Sequence, residues 1–211
     1  PCRKETYGET EKVIGNWFSE RKNRDKIILA SKISGPGMDY IRGGGLQFSE
    51  KNISIAIENS LKRLKTDYVD IFQLHDIPIQ LNENLAKISE TLFELRKEGK
   101  LRFIGISKET QEDSIKIIDK NLFDCMQINF NLIDQRASEN GLFQKSQESG
   151  VAIIGTTPLC FGFLTGNYNA KITFHKDDHR KRWSKEQRNL WSSADKFFLD
   201  KFNNKNRQTS S

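Results

Sequence analysis

An α/β fold is what this sequence predicts, specifically part of a (β/α)8 barrel of the TIM type with about five parallel strands alternating with helices. Two observations carry that expectation. Five short segments are apolar and β-branched in their middles, as parallel strands covered on both faces should be. Each also ends on its C-terminal side in polar or charged residues and is followed by a helix-like or loop segment. The segments are Lys26–Lys32, Val69–His75, Leu101–Ser107, Cys125–Asn129 and Val151–Thr157. In such a barrel chemistry is built at the C-terminal rim of the strands, so Lys32, His75, Ser107, Gln127 and Asn129 are expected to converge on one mouth.

Helices fill the intervals. Glu50–Lys65 places Ile53, Ile57, Leu61 and Leu64 at helical spacing, with Glu58 and Lys62 as an exposed pair four residues apart. Asn84–Glu98 does the same with Leu85, Ile88, Leu92 and Leu95, and Gly99 is its stop signal. Gln111–Asp119 and Glu139–Glu148 read as two further helices, the second closed by Gly150, and Trp183–Phe202 reads as a last one with no strand after it. Strand-then-helix alternation with right-handed crossovers leaves few topologies open.

A full barrel of this type takes about 250 residues and eight strands. The chain has 211 residues and begins with Pro1. Both ends are therefore expected to be cut, and residues 1–211 to form a single, incomplete barrel domain. A smaller open α/β sheet is the alternative, but no Gly-rich phosphate turn stands where an open nucleotide-binding sheet would place one.

Composition fits a single domain in water, at 36% hydrophobic and 29% charged residues with a mean hydropathy of −0.66. No apolar run is long enough to span a membrane and nothing at the start resembles a signal peptide, so a cytoplasmic location without membrane partners is expected. The three cysteines, Cys2, Cys125 and Cys160, lack metal-ligand spacing and read as ordinary thiols in a reducing compartment. The net charge of +6 is spread over helix surfaces, apart from Lys176–Arg182 and Lys205–Arg207. With no basic and aromatic interleaving, a solvated surface is favoured over a nucleic-acid partner.

Four stretches, in order and at suitable gaps, resemble the aldo-keto reductases. They are Ala30-Ser-Lys32; the run Ser60-Leu-Lys-Arg-Leu-Lys-Thr-Asp-Tyr-Val-Asp-Ile-Phe-Gln-Leu-His75; Leu95-Arg-Lys-Glu-Gly-Lys-Leu-Arg-Phe-Ile-Gly-Ile-Ser107; and Pro158-Leu-Cys-Phe-Gly-Phe-Leu-Thr-Gly-Asn-Tyr168. The resemblance implies hydride transfer between NADPH and an aldehyde or ketone, of sugar type among the candidates. It also implies a tyrosine general acid, tuned by a lysine and an aspartate, and a histidine that hydrogen-bonds the carbonyl.

On that resemblance Lys32 and His75 are the catalytic residues, while Ser107 and Gln127 hold the nicotinamide carboxamide and no metal is implied. A phenol near pKa 10 is a poor acid at neutral pH until a nearby ammonium favours its ionised form. Lys32 is that ammonium, and His75 points an N–H at the charge developing on the carbonyl oxygen.

Several positions depart from the family pattern. Lys108 stands where an asparagine is usual beside the serine, Thr156 where a tyrosine commonly stacks on the nicotinamide, and Asp76-Ile-Pro78 where many relatives have Trp-Pro. The family's catalytic aspartate and tyrosine, and its last strand with the adenosine 2′-phosphate grip, find no counterparts. Tyr7 is the one rescue candidate for the acid, since Tyr7-Gly8 with Gly15 downstream loosely mimics the tyrosine-to-glycine spacing. The isolated chain is accordingly expected to be a poor catalyst, dependent on a complementing chain or oligomer. Two other readings stay open: a non-catalytic binding or regulatory barrel, including an inactive gene fragment, and a barrel hydrolase using His75 and Asp76 on a metal.

Overall fold

A computed structural model describes residues 4–33, 41, 48–75, 85–107, 111–118, 121–165, 168, 171–189 and 191–192. Contacts divide the chain into two compact units, one of Pro1–Ile128 with Gly141–Ile154 and the other of Asn129–Asn140 with Gly155–Ser211.

Five strands carry the fold: β1 (Ala30–Ile33), β2 (Val69–His75), β3 (Leu101–Ser107), β4 (Cys125–Asn129) and β5 (Ala152–Thr156). Their order in the sheet is their order in the chain. The pairings β1–β2, β2–β3 and β3–β4 are parallel, with Ile33 opposite Leu74, Leu74 opposite Ile106, and Ile106 opposite Met126. Side chains alternate along a strand and register partners share a face. The row Ile33, Leu74, Ile106 and Met126 is therefore one apolar face, fully buried together with Phe72 and Ile104. Alternation then assigns Lys32, Gln73, His75, Gly105, Ser107, Cys125 and Gln127 to the opposite face.

The helices are α1 (Glu9–Arg21), α2 (Glu50–Leu64), α3 (Leu85–Lys97), α4 (Gln111–Ile118), α5 (Arg136–Glu139) and α6 (Leu142–Glu148). In α2 the Ser49 hydroxyl accepts from the Asn52 N–H at 3.2 Å, which satisfies one orphan donor of the first turn. Lys65 ends the helix in the left-handed region with its N–H on the carbonyls of Leu61 and Lys62. The spacing read from sequence is what is buried: Ile53, Ile57, Leu61 and Leu64 in α2, and Leu85, Ile88, Leu92 and Leu95 in α3.

Three expectations shift. The expected helix Glu139–Glu148 is two pieces, because Gly141 adopts φ 84 at the N-terminus of α6 and interrupts the helical path. Residues 26–29 lie outside β1, and Arg24–Lys26 form a 3-10 turn instead. Of the helix expected at Trp183–Phe202, residues 185–189 and 191–192 are helical, and the remainder beyond 192 lies outside the described residues.

Helix α1 had no counterpart in the sequence reading. It packs on α2 through Gly15, where an added Cβ would stand 2.3 Å from the Arg63 carbonyl oxygen and 2.7 Å from the Leu64 carbonyl carbon. Only a glycine allows two helix backbones so close. Beside that contact, Glu11 accepts from Arg63 Nε at 2.6 Å and from Ser31 Oγ at 2.6 Å, tying both helices to β1.

A second anchor stands near the N-terminal ends of the strands. The Asp70 carboxylate takes the Leu29 N–H at 2.9 Å, Arg24 at 2.8 Å and Arg102 at 2.8 Å. Both guanidiniums also lie over the Tyr68 ring, at 4.0 and 4.3 Å from its centroid. Desolvation raises the Asp70 pKa, but the Leu29 N–H and the two arginines outweigh it and hold the carboxyl below the ordinary range.

The second unit is organised around the fully buried Phe163. Its ring meets Tyr168, Phe174, Trp183 and Trp191 at centroid distances of 5.8 to 6.3 Å. Arg180 lies over Tyr168 and Phe174 and pairs with Asp178 at 2.6 Å. The chain reaches this cluster through Thr157, Cys160 and Phe161, each at positive φ.

Candidate active site

The four residues singled out for chemistry lie on one face of the sheet. His75 is the register partner of Ser107, and Ser107 of Gln127. Lys32 pairs with Gln73, two residues before His75, so it stands one step nearer the N-terminal ends of the strands. A histidine, a hydroxyl and an amide thus form a row at the strand ends. The lysine joins them from the neighbouring strand one step below. All three residues of the row are half-buried.

Lys32 is exposed as a residue, yet desolvation of its side chain lowers its pKa. His75 has an interaction within the chain. Ser107 and Gln127 are neighbours that combine a hydroxyl with a primary amide, a set able to donate to a carbonyl and accept from an NH2 at once. The donor set fits a carboxamide.

Two residues of this face were missed as site residues by sequence reasoning. Gln73 is fully buried, and neither Oε1 nor Nε2 has a hydrogen-bond partner among the described residues. Gly105 stands beside it in register. A Cβ there would meet Gln73 Cγ at 2.8 Å and Cys125 Sγ at 2.9 Å. Counting back two from His75 along an alternating strand was the signal that could have found Gln73.

Of the other candidates, Tyr7 stands apart from this row. Tyr7 places its ring under the Arg63 guanidinium, 5.1 Å from centroid to Cζ. Arg63 belongs to the chain of bonds through Glu11 to Ser31, which approaches the sheet from the face opposite Lys32. Asn129 and Thr156 belong to the second unit, where the Thr157 hydroxyl reaches Asn129 Oδ1 at 3.2 Å and the Phe130 N–H bonds the Thr156 carbonyl. Lys108 and Asp76–Pro78 lie outside the described residues. Among the described residues no group of three or more His, Cys, Asp or Glu side chains could hold a metal ion, and no helix is long and apolar enough to cross a membrane.

A parallel sheet in chain order, with polar strand ends gathered on one face, defines the class as the (β/α)8 type. The family model for the aldo/keto reductase family matches residues 5–209, and the chain belongs to that family. It is 34% identical over 191 residues to Protein tas of Escherichia coli, which covers 80% of this chain and 55% of that protein. It is 31% identical over 187 residues to the aldo-keto reductase YhdN of Bacillus subtilis, covering 86% and 54%. The holo form of aldo-keto reductase AKR11C1 from Bacillus halodurans superposes with a TM-score of 0.65 at 27% identity, over 81% of this chain and 54% of that one. The chain therefore spans about half the length of the relatives it matches.

Proposed function

We propose that this chain carries the lysine and histidine half of the active site of an NADPH-dependent carbonyl reductase. Residues 1–211 are read as one incomplete barrel domain. The observation that carries the reading is the register itself, which sets His75, Ser107 and Gln127 side by side with Lys32 one step below on the same face.

Each residue has a role within that reading. Ser107 and Gln127 grip the carboxamide, orienting the ring. The cofactor supplies the hydride. His75 donates from its ring N–H to the substrate carbonyl oxygen, where negative charge develops. Lys32 keeps an ammonium beside the proton donor and favours that donor's ionised form. Loss of its own hydration makes Lys32 a readier proton partner than a free lysine. The substrate is an aldehyde or ketone, with a sugar-type carbonyl the first to assay.

For the proton-donating tyrosine the resemblance leaves Tyr7 as the one rescue candidate, and its ring lies by Arg63. Lys32 and His75 do not themselves supply the proton donor that this reading requires.

Titrating NADPH against the fluorescence of Trp17, Trp183 and Trp191 tests the reading. Ser107→Ala and Gln127→Ala should each weaken binding about fivefold, the equivalent of one hydrogen bond worth about 1 kcal/mol. Binding that is absent at millimolar NADPH, or indifferent to both substitutions, refutes it.

A further inference from the structure

Lys32 and Gln73 stand opposite one another in the β1–β2 register. One of the two is left with an unmet need. The Gln73 amide is buried with neither polar atom paired among the described residues. The Lys32 ammonium can only donate, and desolvation lowers its pKa.

The place of Gln73 is built into the sheet. On this rung β3 gives up its side chain altogether, since a Cβ on Gly105 would collide with Gln73 Cγ at 2.8 Å. We propose that Gln73 is a positioning residue for Lys32: the bond is not made in this structure, and a change of Lys32 rotamer lets the ammonium donate to Gln73 Oε1 across one inter-strand spacing of about 4.8 Å, which fixes where that charge stands in the site.

This rests on the role given to Lys32 above. An oxygen acceptor favours the charged ammonium and so opposes the desolvation that pulls Lys32 down. Among the described strand residues, the other titratable side chains on this face are His75 on β2 and Cys125 on β4, while β3 presents Gly105 and Ser107. Burial pushes the Cys125 thiol up to about 11. Helix α2 packs on the opposite face of β1, where Arg63 is engaged by Glu11. Gln73 is thus the neutral acceptor opposite Lys32 in register.

The test uses the full chain labelled with 13C at lysine Cε, the Lys32 signal being the one lost in Lys32→Met. In Gln73→Leu the Lys32 titration midpoint should fall by about one pH unit, and in Gln73→Glu it should rise. In the native chain the Gln73 side-chain NH2 signals should move with the same midpoint as Lys32. An unchanged Lys32 midpoint in Gln73→Leu overturns the pairing. Should that variant not fold, the native chain decides: Gln73 signals that stay still through the Lys32 titration overturn it equally. No step needs cofactor or turnover. A failed pairing is therefore distinguishable from a failed reductase reading, which shows as absent NADPH binding with the pair intact.

Discussion

Gly15→Ala is the sharpest perturbation the structure offers. Helix propensity alone favours the change by about 1 kcal/mol. The packing opposes it. The new Cβ would stand 2.3 Å from the Arg63 carbonyl oxygen, and 2.7 and 2.9 Å from the carbonyl carbon and Cα of Leu64. All three are backbone atoms, so no rotamer change relieves them, and α1 must withdraw by about 1 Å to restore ordinary contact. Overpacking of this kind costs about 1–3 kcal/mol. Withdrawal also stretches the Glu11 bonds to Arg63 and Ser31, a half-buried set worth about 1–2 kcal/mol. The net expectation is a loss of about 1–3 kcal/mol. Urea unfolding followed by far-UV circular dichroism and by the fluorescence of Trp17, on the same helix, reads it directly. With a slope of about 2 kcal/mol per molar, the midpoint should fall by about 0.5–1.5 M. Asn16→Ala, on the exposed side of α1, is the control and should hold or raise the midpoint. A Gly15→Ala midpoint equal to that control would show that the helices do not meet as described.

Asp70→Asn should cost about 3–5 kcal/mol, because it leaves Arg24 with a charge nearly out of water and no counterpart. The same carboxylate makes the protein acid-sensitive. Its folded pKa is depressed, so its contribution is complete above the unfolded value of about 3.9 and is lost as pH falls through the lower folded value. Acid titration of native chain and variant should therefore diverge above pH 4 and converge well below it. Cys125 and Cys160, both buried with thiols near 11, should resist a thiol reagent at pH 8 until denaturant is added. Labelling of either at a rate typical of free cysteine in the native state would contradict their placement.

What could be read from sequence divides along physical lines. Strands β2, β3 and β4 fall where their apolar, β-branched middles and flanking turns put them, because burial on the helix side enforces that pattern at every second residue. Helices α2 and α3 were legible for the equivalent reason, a stripe at helical spacing that ends up buried. Helix α1 was not. Its interface is a glycine where most helices have a leucine, and Val13 and Trp17 on the same helix remain exposed. The start of β1 was misplaced because Ile27 and Ile28 look like strand interior, yet Ile28 is 80% exposed. Lys32, His75, Ser107 and Gln127 stood out as polar ends of apolar runs. Gln73 did not, sitting between Phe72 and Leu74 where a run of strand residues hides a change of face. The contact of Tyr7 with Arg63 joins residues far apart in the chain, and a local spacing rule cannot see it.

The unbroken strand order has a consequence for how the sheet assembles. Each strand after β1 pairs with the one made just before it, so no strand has to be inserted between two that are already paired. The closures are unequal. Gly105 meets Cys125 across twenty residues, whereas Ala30 meets Ile71 across about twice that span. Doubling a loop adds about 0.6 kcal/mol to its closure, which makes β3 and β4 the cheaper nucleus. The sheet would then spread outward in both directions from the rung that Gly105 leaves open for Gln73.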